Sequence, residues 1–269
     1  MCGLFGPRRP TSRPVSPREI LGSPNPNPLP LDRPRTLLSS KFIIAIDFGT
    51  TYSGVAWAHF EGSTNLEDGS SITRTLTEKI WVYKDWPRFS NSYAEKTPSV
   101  ISYLTDPPIW GGRVRSQHRP QVSRFKLGLD PEKVRHVFGM ESGEGMIDLD
   151  PKLGKNAVDV TADFLTQLIK YIETKALPKA LGDQFLAAQS KLYVMTVPAI
   201  WSDRAKDSTR QAAARAGIPR DRLILVPEPE AAALFCATAG DELDLAKGDT
   251  FIICDAGGGT VVCKPLRLD

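Results

Sequence analysis

The chain has 269 residues, of which 41% are hydrophobic and 24% charged, as in an ordinary water-soluble globular protein. Its net charge is +3, but the first 40 residues carry six arginines against two acidic residues, so residues 41–269 sum to −1. The part of the chain that can fold is therefore not basic, which argues against a nucleic-acid-binding surface, and no apolar run reaches the roughly 18 residues of a membrane span.

The first 40 residues are rich in proline and hold nine of the 22 prolines of the chain. Proline lacks a backbone donor and blocks helices, so we predict a disordered tail over residues 1–40. A PxxP docking site and a mitochondrial presequence are the functional alternatives for this segment. Because no apolar signal segment is present, we expect a cytoplasmic protein, with the nucleus left open.

The cysteines give no sign of a metal site or a disulfide framework. Cys2, Cys236, Cys254 and Cys263 form neither a CxxC pair nor a zinc-binding spacing. Cys236 and Cys254 lie in apolar runs, so we expect buried reduced thiols at these two positions.

Strands and helices are predicted to alternate after the tail. Runs of β-branched and apolar residues predict strands, the first two of them as a hairpin, over residues 42–47, 53–60, 98–104, 191–197 and 251–255. Helical spacing and capping residues predict helices over residues 156–177, from Ser202 to Gly217, and from Pro229 onward. This alternation indicates an α/β architecture.

Two glycine-threonine segments follow strands that end in aspartate. The first is Asp47-Phe48-Gly49-Thr50-Thr51, and the second is Asp255-Ala256-Gly257-Gly258-Gly259-Thr260. Glycines allow a tight turn whose N–H groups approach a polyphosphate, and an aspartate can hold the waters around Mg²⁺. Two such segments suggest that phosphates are held from both sides. For either segment taken alone, a plain turn without a bound phosphate is the alternative.

Five motifs in this order resemble those of the 70-kDa heat-shock protein family. They are Asp47-Phe48-Gly49-Thr50-Thr51-Tyr52-Ser53, Val197-Pro198-Ala199-Ile200-Trp201-Ser202-Asp203, Ala216-Gly217, Pro227-Glu228-Pro229-Glu230-Ala231-Ala232-Ala233 and Asp255-x-Gly-Gly-Gly-Thr260. The segments around Trp81, Trp86 and Trp110 resemble the divergent fungal and animal heat-shock-70-like branch more than a housekeeping chaperone.

The resemblance implies an actin-like ATPase (ribonuclease H-like) lobe, with a mixed sheet and flanking helices, that binds ATP and Mg²⁺. It places phosphate contacts at Gly49, Thr50, Thr51, Tyr52, Gly257, Gly258, Gly259 and Thr260. Asp47 and Asp255 would order Mg²⁺ through water. Lys126, in Arg124-Phe125-Lys126-Leu127, resembles the family's catalytic lysine, and Glu228 the glutamate that orients the attacking water.

Three of these assignments have simpler alternatives. Lys126 can be a solvated surface lysine, Glu228 can merely end a strand, and the tryptophans can be core or interface residues without a ligand.

The chain departs from the family pattern in two places. Where the family has an aspartate two residues after Gly-Gly-Gly-Thr, this chain has Val262, and the sequence stops eight residues after Val261. We therefore expect a first lobe over residues 41–240 and only the start of a second lobe over 241–269, the rest of that lobe being absent. The strand 251–254 would then lack a sheet to join.

The function predicted from the residues and the resemblance is an ATP-binding, heat-shock-70-like ATPase fragment whose hydrolysis is weak or absent. Its partners would be ATP or ADP, with client or co-chaperone proteins beside them. A non-catalytic interaction protein that keeps the fold is the first alternative. A sugar or acetate kinase of the same superfold is the second.

Overall fold

The computed structural model of this protein describes residues 2–3, 42–59, 80–87, 94–138, 151–187, 189–239, 248–257 and 261–267. The proline-rich tail, apart from residues 2–3, lies outside the described residues. The described residues divide into two compact units. One lies within residues 34–195 and 200–225, and the other within 1–33, 196–199 and 226–269.

The strands, numbered in chain order within the described residues, are β1 (Cys2–Gly3), β2 (Phe42–Phe48), β3 (Tyr52–His59), β4 (Ile80–Val82), β5 (Thr97–Pro98), β6 (Val100–Ser102), β7 (Ile109–Trp110), β8 (Gln121–Ser123), β9 (Lys191–Val197), β10 (Leu223–Pro227), β11 (Thr250–Ala256) and β12 (Val261–Arg267).

The α-helices of the described residues are α1 (Pro131–Phe138), α2 (Ala157–Tyr171), α3 (Leu177–Leu181), α4 (Asp183–Ala187), α5 (Asp203–Arg215) and α6 (Glu228–Ala239). Short 3₁₀ segments occur at Gly111–Arg113, Phe125–Leu129, Pro151–Leu153 and Arg220–Arg222, and a π-helical turn at Ile172–Ala176 joins α2 to α3. None of these helices is long and apolar enough to cross a membrane.

A mixed six-stranded sheet carries the predicted hairpin. Its strand order is β10-β9-β2-β3-β4, with β5 paired to β3. Strand β2 runs antiparallel to β3 through the whole of Phe42–Phe48 and parallel to β9 through residues 191–195. Side chains of β2 alternate between buried and half-buried positions, as expected when one face of a strand packs on the core. The α/β prediction is confirmed.

Helix α2 packs apolar side chains against this sheet, where the Phe164 ring meets the Phe48 ring. Asn156 and Asp159 form a capping box at its start, since each side chain accepts a hydrogen bond from the other residue's backbone N–H. Phe164, Leu165 and Leu168 are fully buried. The helix predicted over residues 156–177 is therefore confirmed, with a π-helical turn that its periodicity did not reveal.

Aromatic rings fill the core beside this helix. The rings of Phe48, Phe125 and Phe164 lie within 6.2 Å of one another, centre to centre. Trp86 and Trp110 are buried and in edge contact with each other, as a core role predicts, whereas Trp81 is exposed on β4.

The strand predicted over residues 98–104 is two short strands in different sheets. Thr97–Pro98 pairs with β3, while Val100–Ser102 joins a small antiparallel sheet with β7 and β8. The change occurs at Ser99, whose backbone N–H donates to the Thr51 carbonyl instead of continuing a ladder.

The last predicted strand has partners on both sides. Strand β11 pairs antiparallel with β12 and with the two-residue strand β1. The expectation that it would lack a sheet is therefore wrong. The register also places Cys254 opposite Cys263, and these two residues form a disulfide, contrary to the reduced thiol expected for Cys254. Residue spacing alone does not report which positions face each other across a hairpin.

Candidate functional site

The first glycine-threonine segment is the turn between β2 and β3. A side chain at residue 49 cannot be accommodated there, because a Cβ atom would lie 2.2 Å from the Tyr52 carbonyl oxygen. Thr50 and Thr51 are half-buried and Tyr52 is exposed. The backbone of this turn is thus tightly folded, and its predicted phosphate-contacting residues stand at one end of the central strand.

Ser99 holds the turn in place. Its hydroxyl donates to the Gly49 carbonyl at 2.7 Å, and its backbone N–H donates to the Thr51 carbonyl at 2.8 Å. The hydroxyl of Ser53, 2.8 Å away, donates in turn to Ser99 Oγ, since the hydrogen of Ser99 is already used. Both serines are buried. No pattern in the sequence marked Ser99, because its partners are 46 to 50 residues away along the chain.

Lys126 is buried directly behind the turn. Only 2% of the residue is exposed, and its ammonium donates to the Phe48 carbonyl. Its Nζ lies 5.4 Å from the ring centres of both Phe48 and Trp201. A buried ammonium is costly unless it is hydrogen-bonded, and aromatic faces lower that cost further. The alternative of a solvated surface lysine is therefore wrong, while the catalytic role of Lys126 stays a prediction.

Asp130 connects the segment that carries Lys126 to the helix that follows Trp201. Asp130 Oδ2 accepts hydrogen bonds from the backbone N–H and the hydroxyl of Ser202, at 2.8 and 2.9 Å. Ser202 Oγ also accepts from the Ala205 N–H, which caps α5 as predicted. The position of Trp201 against Lys126 is thus fixed through partly buried hydrogen bonds between Asp130 and Ser202, which the sequence did not indicate.

Asp47, the predicted Mg²⁺-ordering carboxylate of the first segment, is the penultimate residue of β2. Its Oδ2 accepts a hydrogen bond from Lys96 Nζ at 2.6 Å, and both side chains are about half exposed. Sequence inspection missed Lys96, which lies 49 residues away. Two ammonium groups therefore contact the end of β2. Lys96 donates to the Asp47 carboxylate, and Lys126 donates to the Phe48 carbonyl.

The other predicted site residues belong to the second compact unit. Glu228 is the first residue of α6, and Asp255 lies near the end of β11, where its register partner is Val262. Gly257 directly follows that strand and is exposed. Gly258, Gly259 and Thr260 lie outside the described residues, so their predicted phosphate contacts stay predictions.

The end of β2 combines features suited to an anionic ligand. Its turn is closely folded, it is braced by buried serines, and two lysine ammonium groups adjoin it. Around it lie a mixed sheet and flanking helices, with the turn joining the first two strands of the sheet. This architecture is that of an actin-like ATPase lobe.

Comparison with known proteins gives the family. A family model described as Hsp70 protein matches residues 147–269. The chain is 29% identical over 267 residues to heat shock 70 kDa protein 12A of Mus musculus, covering 87% of this chain and 35% of that protein. It is 34% identical over 240 residues to a chaperone protein HscA homolog of Methylobacillus flagellatus, covering 85% of this chain and 32% of that protein.

A chaperone protein DnaK of Anaplasma marginale is 26% identical over 247 residues, covering 86% of this chain and 32% of that protein. The chain is an Hsp70-like family member, and it spans about a third of the length of the curated relatives it matches.

Proposed function

We propose that this chain is the nucleotide-binding part of an Hsp70-like ATPase and that its first segment binds the phosphates of ATP. One observation carries the proposal. The Gly49 turn, which has no room for a side chain, directly follows the Asp47 carboxylate and the Phe48 carbonyl to which the buried Lys126 ammonium donates. A turn without side-chain bulk lets backbone N–H groups approach a polyphosphate, and a nearby lysine offsets its negative charge.

The remaining roles follow the family resemblance. Thr50, Thr51 and Tyr52 would contact phosphate together with Gly49, and residues 257–260 would do so in the second segment. Asp47 and Asp255 carry the hard oxygen donors that Mg²⁺ prefers, and they would order the ion through water. Bound Mg²⁺ would neutralise charge on the phosphates. Lys126 would stabilise charge on the transferred phosphoryl group, and Glu228 would orient the attacking water.

We expect ATP hydrolysis by this chain to be weak or absent. Val262, the register partner of Asp255, stands where the family pattern has an aspartate. A valine side chain can neither accept a hydrogen bond from water nor hold a metal ion. Since the effects of residues that act as one unit are not additive, a single missing carboxylate can remove most of the rate.

We also propose that the protein acts in the cytoplasm and that its partners are client or co-chaperone proteins.

The test is thermal unfolding with and without millimolar ATP and Mg²⁺, with phosphate release measured on the same samples. A ligand at about 100 times its Kd adds about 2.7 kcal/mol to the free energy of unfolding. We expect a clear rise in Tm with little phosphate release. Asp47→Asn should remove most of the Mg²⁺-dependent part of this rise, because it removes the carboxylate that orders the ion.

Asp85→Asn is the matched control. Asp85 is an exposed aspartate in a lysine ion pair of 2.9 Å with Lys179, and it has no predicted ligand role. Its variant should keep the full ATP effect. Absence of any shift at millimolar ATP would favour the non-catalytic interaction protein instead. Rapid phosphate release that Asp47→Asn abolishes would overturn the expectation of weak hydrolysis.

A further inference from the structure

Lys96 reaches Asp47 across a neighbouring strand. Thr97 pairs with Ser53, so Lys96 comes to stand beside Gly54, and Gly54 is the register partner of Asp47. The three residues therefore form a row that crosses the hairpin, with the lysine on one side and the carboxylate on the other.

Gly54 leaves room for this reach. A Cβ atom at residue 54 would lie 3.3 Å from Lys96 Cγ and 3.3 Å from the Glu95 carbonyl oxygen. The lysine stem thus passes over the one position in the row that has no side chain. It ends in a charge-assisted hydrogen bond of 2.6 Å to Asp47 Oδ2. The arrangement depends on the backbone pairing and on a glycine, which distinguishes it from a chance meeting of two long surface side chains.

Charge explains what such a pair can do. Asp47 is the carboxylate proposed to order Mg²⁺, and without a cation its negative charge would face the phosphates of an arriving nucleotide. An ammonium bonded to the carboxylate cancels that negative charge locally. The two charges are only a few ångströms apart, so salt screens their attraction only in part.

We infer that Lys96 is a built-in counter-cation for Asp47 and lets the first segment bind nucleotide without Mg²⁺. The inference rests on the proposed function, since it presumes that this segment binds nucleotide phosphates. It assigns a positioning and charge-compensating role, distinct from that of Lys126, which is buried and bonded to the backbone of Phe48.

A neighbouring ion pair supplies the control. Lys84 and Glu95 form an exposed pair of 2.7 Å, and Lys84 has the same side-chain exposure as Lys96, 52%. Glu95 even adjoins Lys96 in the chain. Lys84→Met therefore removes an equivalent surface lysine and ion pair but leaves Asp47 compensated.

The experiment measures the Kd of ATP by calorimetric titration, once with Mg²⁺ and once with EDTA, for the wild type, Lys96→Met, Lys96→Arg and Lys84→Met. We expect Lys96→Met to weaken metal-free binding about fivefold, the factor that corresponds to an exposed charge interaction of about 1 kcal/mol. Binding of the Mg²⁺ complex should change less than about twofold, since the ion then compensates Asp47. Lys96→Arg and Lys84→Met should both resemble the wild type.

Asp47→Asn serves as the second background. If Lys96 acts through the carboxylate, Lys96→Met should cost much less metal-free affinity once Asp47 is neutral, and a double-mutant cycle measures that difference. A lysine that simply attracts phosphate would keep its full effect in this background.

Several outcomes would overturn the inference. They are an equal loss with and without Mg²⁺, no loss in either condition, a full effect in the Asp47→Asn background, and a wild type that binds ATP only with Mg²⁺. A wild type that binds ATP in neither condition would instead refute the proposed function, and the inference would fall with it.

Discussion

At the scale of single residues, the turn after β2 depends on the absence of a side chain at position 49. The conflict is with a backbone atom, the Tyr52 carbonyl oxygen, which cannot move away as a flexible side chain could. The Ser99 hydroxyl also donates a hydrogen bond to the Gly49 carbonyl, which further restricts the backbone of the turn. Glycine is therefore required at position 49 because the folded turn leaves no space for a Cβ atom.

Gly49→Ala is expected to lower the free energy of unfolding by about 1–3 kcal/mol, the usual range for forcing extra atoms into a packed site. It should also weaken ATP binding, because the turn must open to admit the methyl group.

Gly154→Ala is the control. That residue has φ +60° but open space around an added Cβ, so only backbone strain of about 1 kcal/mol is expected there. Urea unfolding and calorimetric titration of ATP measure both effects. A Gly49→Ala protein as stable as the wild type, with unchanged affinity, would contradict the steric argument.

At the scale of elements, helix α2 and its π-helical continuation are held by three tyrosine hydroxyls. Tyr103 donates to Asp163 at 2.7 Å, Tyr193 donates to Glu173, and Tyr83 shares a hydrogen bond of 2.8 Å with Tyr171. Burial, followed in each case by the hydrogen bond to that partner, raises the pKa of Tyr83, Tyr103 and Tyr193 above the usual value for tyrosine.

The raised pKa values predict a loss of stability at alkaline pH. An unfolded tyrosine has a pKa of about 10 and the folded ones a higher value, so the unfolded state loses protons first as the pH rises. Stability should be fully present below pH 10 and fall above it, by up to about 1.4 kcal/mol per pH unit for each tyrosine. Urea unfolding between pH 7 and 11 measures the slope.

Tyr193→Phe tests one member of the set. It removes the hydrogen bond to Glu173, which keeps its ion pair with Lys191 at 3.0 Å, so a loss of about 1 kcal/mol is expected at neutral pH. Above pH 10 the free energy of unfolding of the variant should fall less steeply than that of the wild type. Between pH 7 and 9 the two free energies should change in parallel. An unchanged alkaline slope would show that Tyr193 ionises as easily in the folded protein as in the unfolded one.

At the scale of the whole molecule, the described residues form two compact units of unequal size, and the larger one holds most of the mixed sheet. Within that sheet β2 is paired on both sides, with β3 and with β9, and its inward side chains are fully buried. Strand β4 ends the strand order of the described sheet, and Ile80, Trp81 and Val82 are exposed there.

This contrast predicts a gradient in amide hydrogen exchange. Amides of Phe42–Phe48 should exchange only when the larger unit unfolds as a whole, whereas those of Ile80–Val82 should exchange through local opening. Protection factors should differ on the order of a thousandfold or more, since global unfolding typically costs several kcal/mol more than the opening of a short outer strand. Mass spectrometry of peptides from the two strands measures this. Equal protection would show that β4 is as firmly held as the centre of the sheet.

Five regular elements of the larger unit, namely β2, β3, β9, α2 and α5, could be predicted from sequence because their causes are local. Strand β9 was predicted with its observed bounds from alternation and from Pro198. Helix α5 was predicted from Ser202 as its cap, with Gly217 at φ +94° just after its end. Motif order likewise pointed to the family, since each motif is encoded in a few adjacent residues.

The sequence by itself therefore determined the order of the longer predicted strands and helices, the family and the positions of the candidate turns. Only the tertiary structure decided which distant side chains meet: Lys96 with Asp47, Ser99 with Gly49, Lys126 with Phe48 and Trp201, and Cys254 with Cys263. The physical reason is that backbone preferences depend on neighbours in the chain, whereas these contacts depend on strand register and on how elements pack, which bring together residues that no local pattern links.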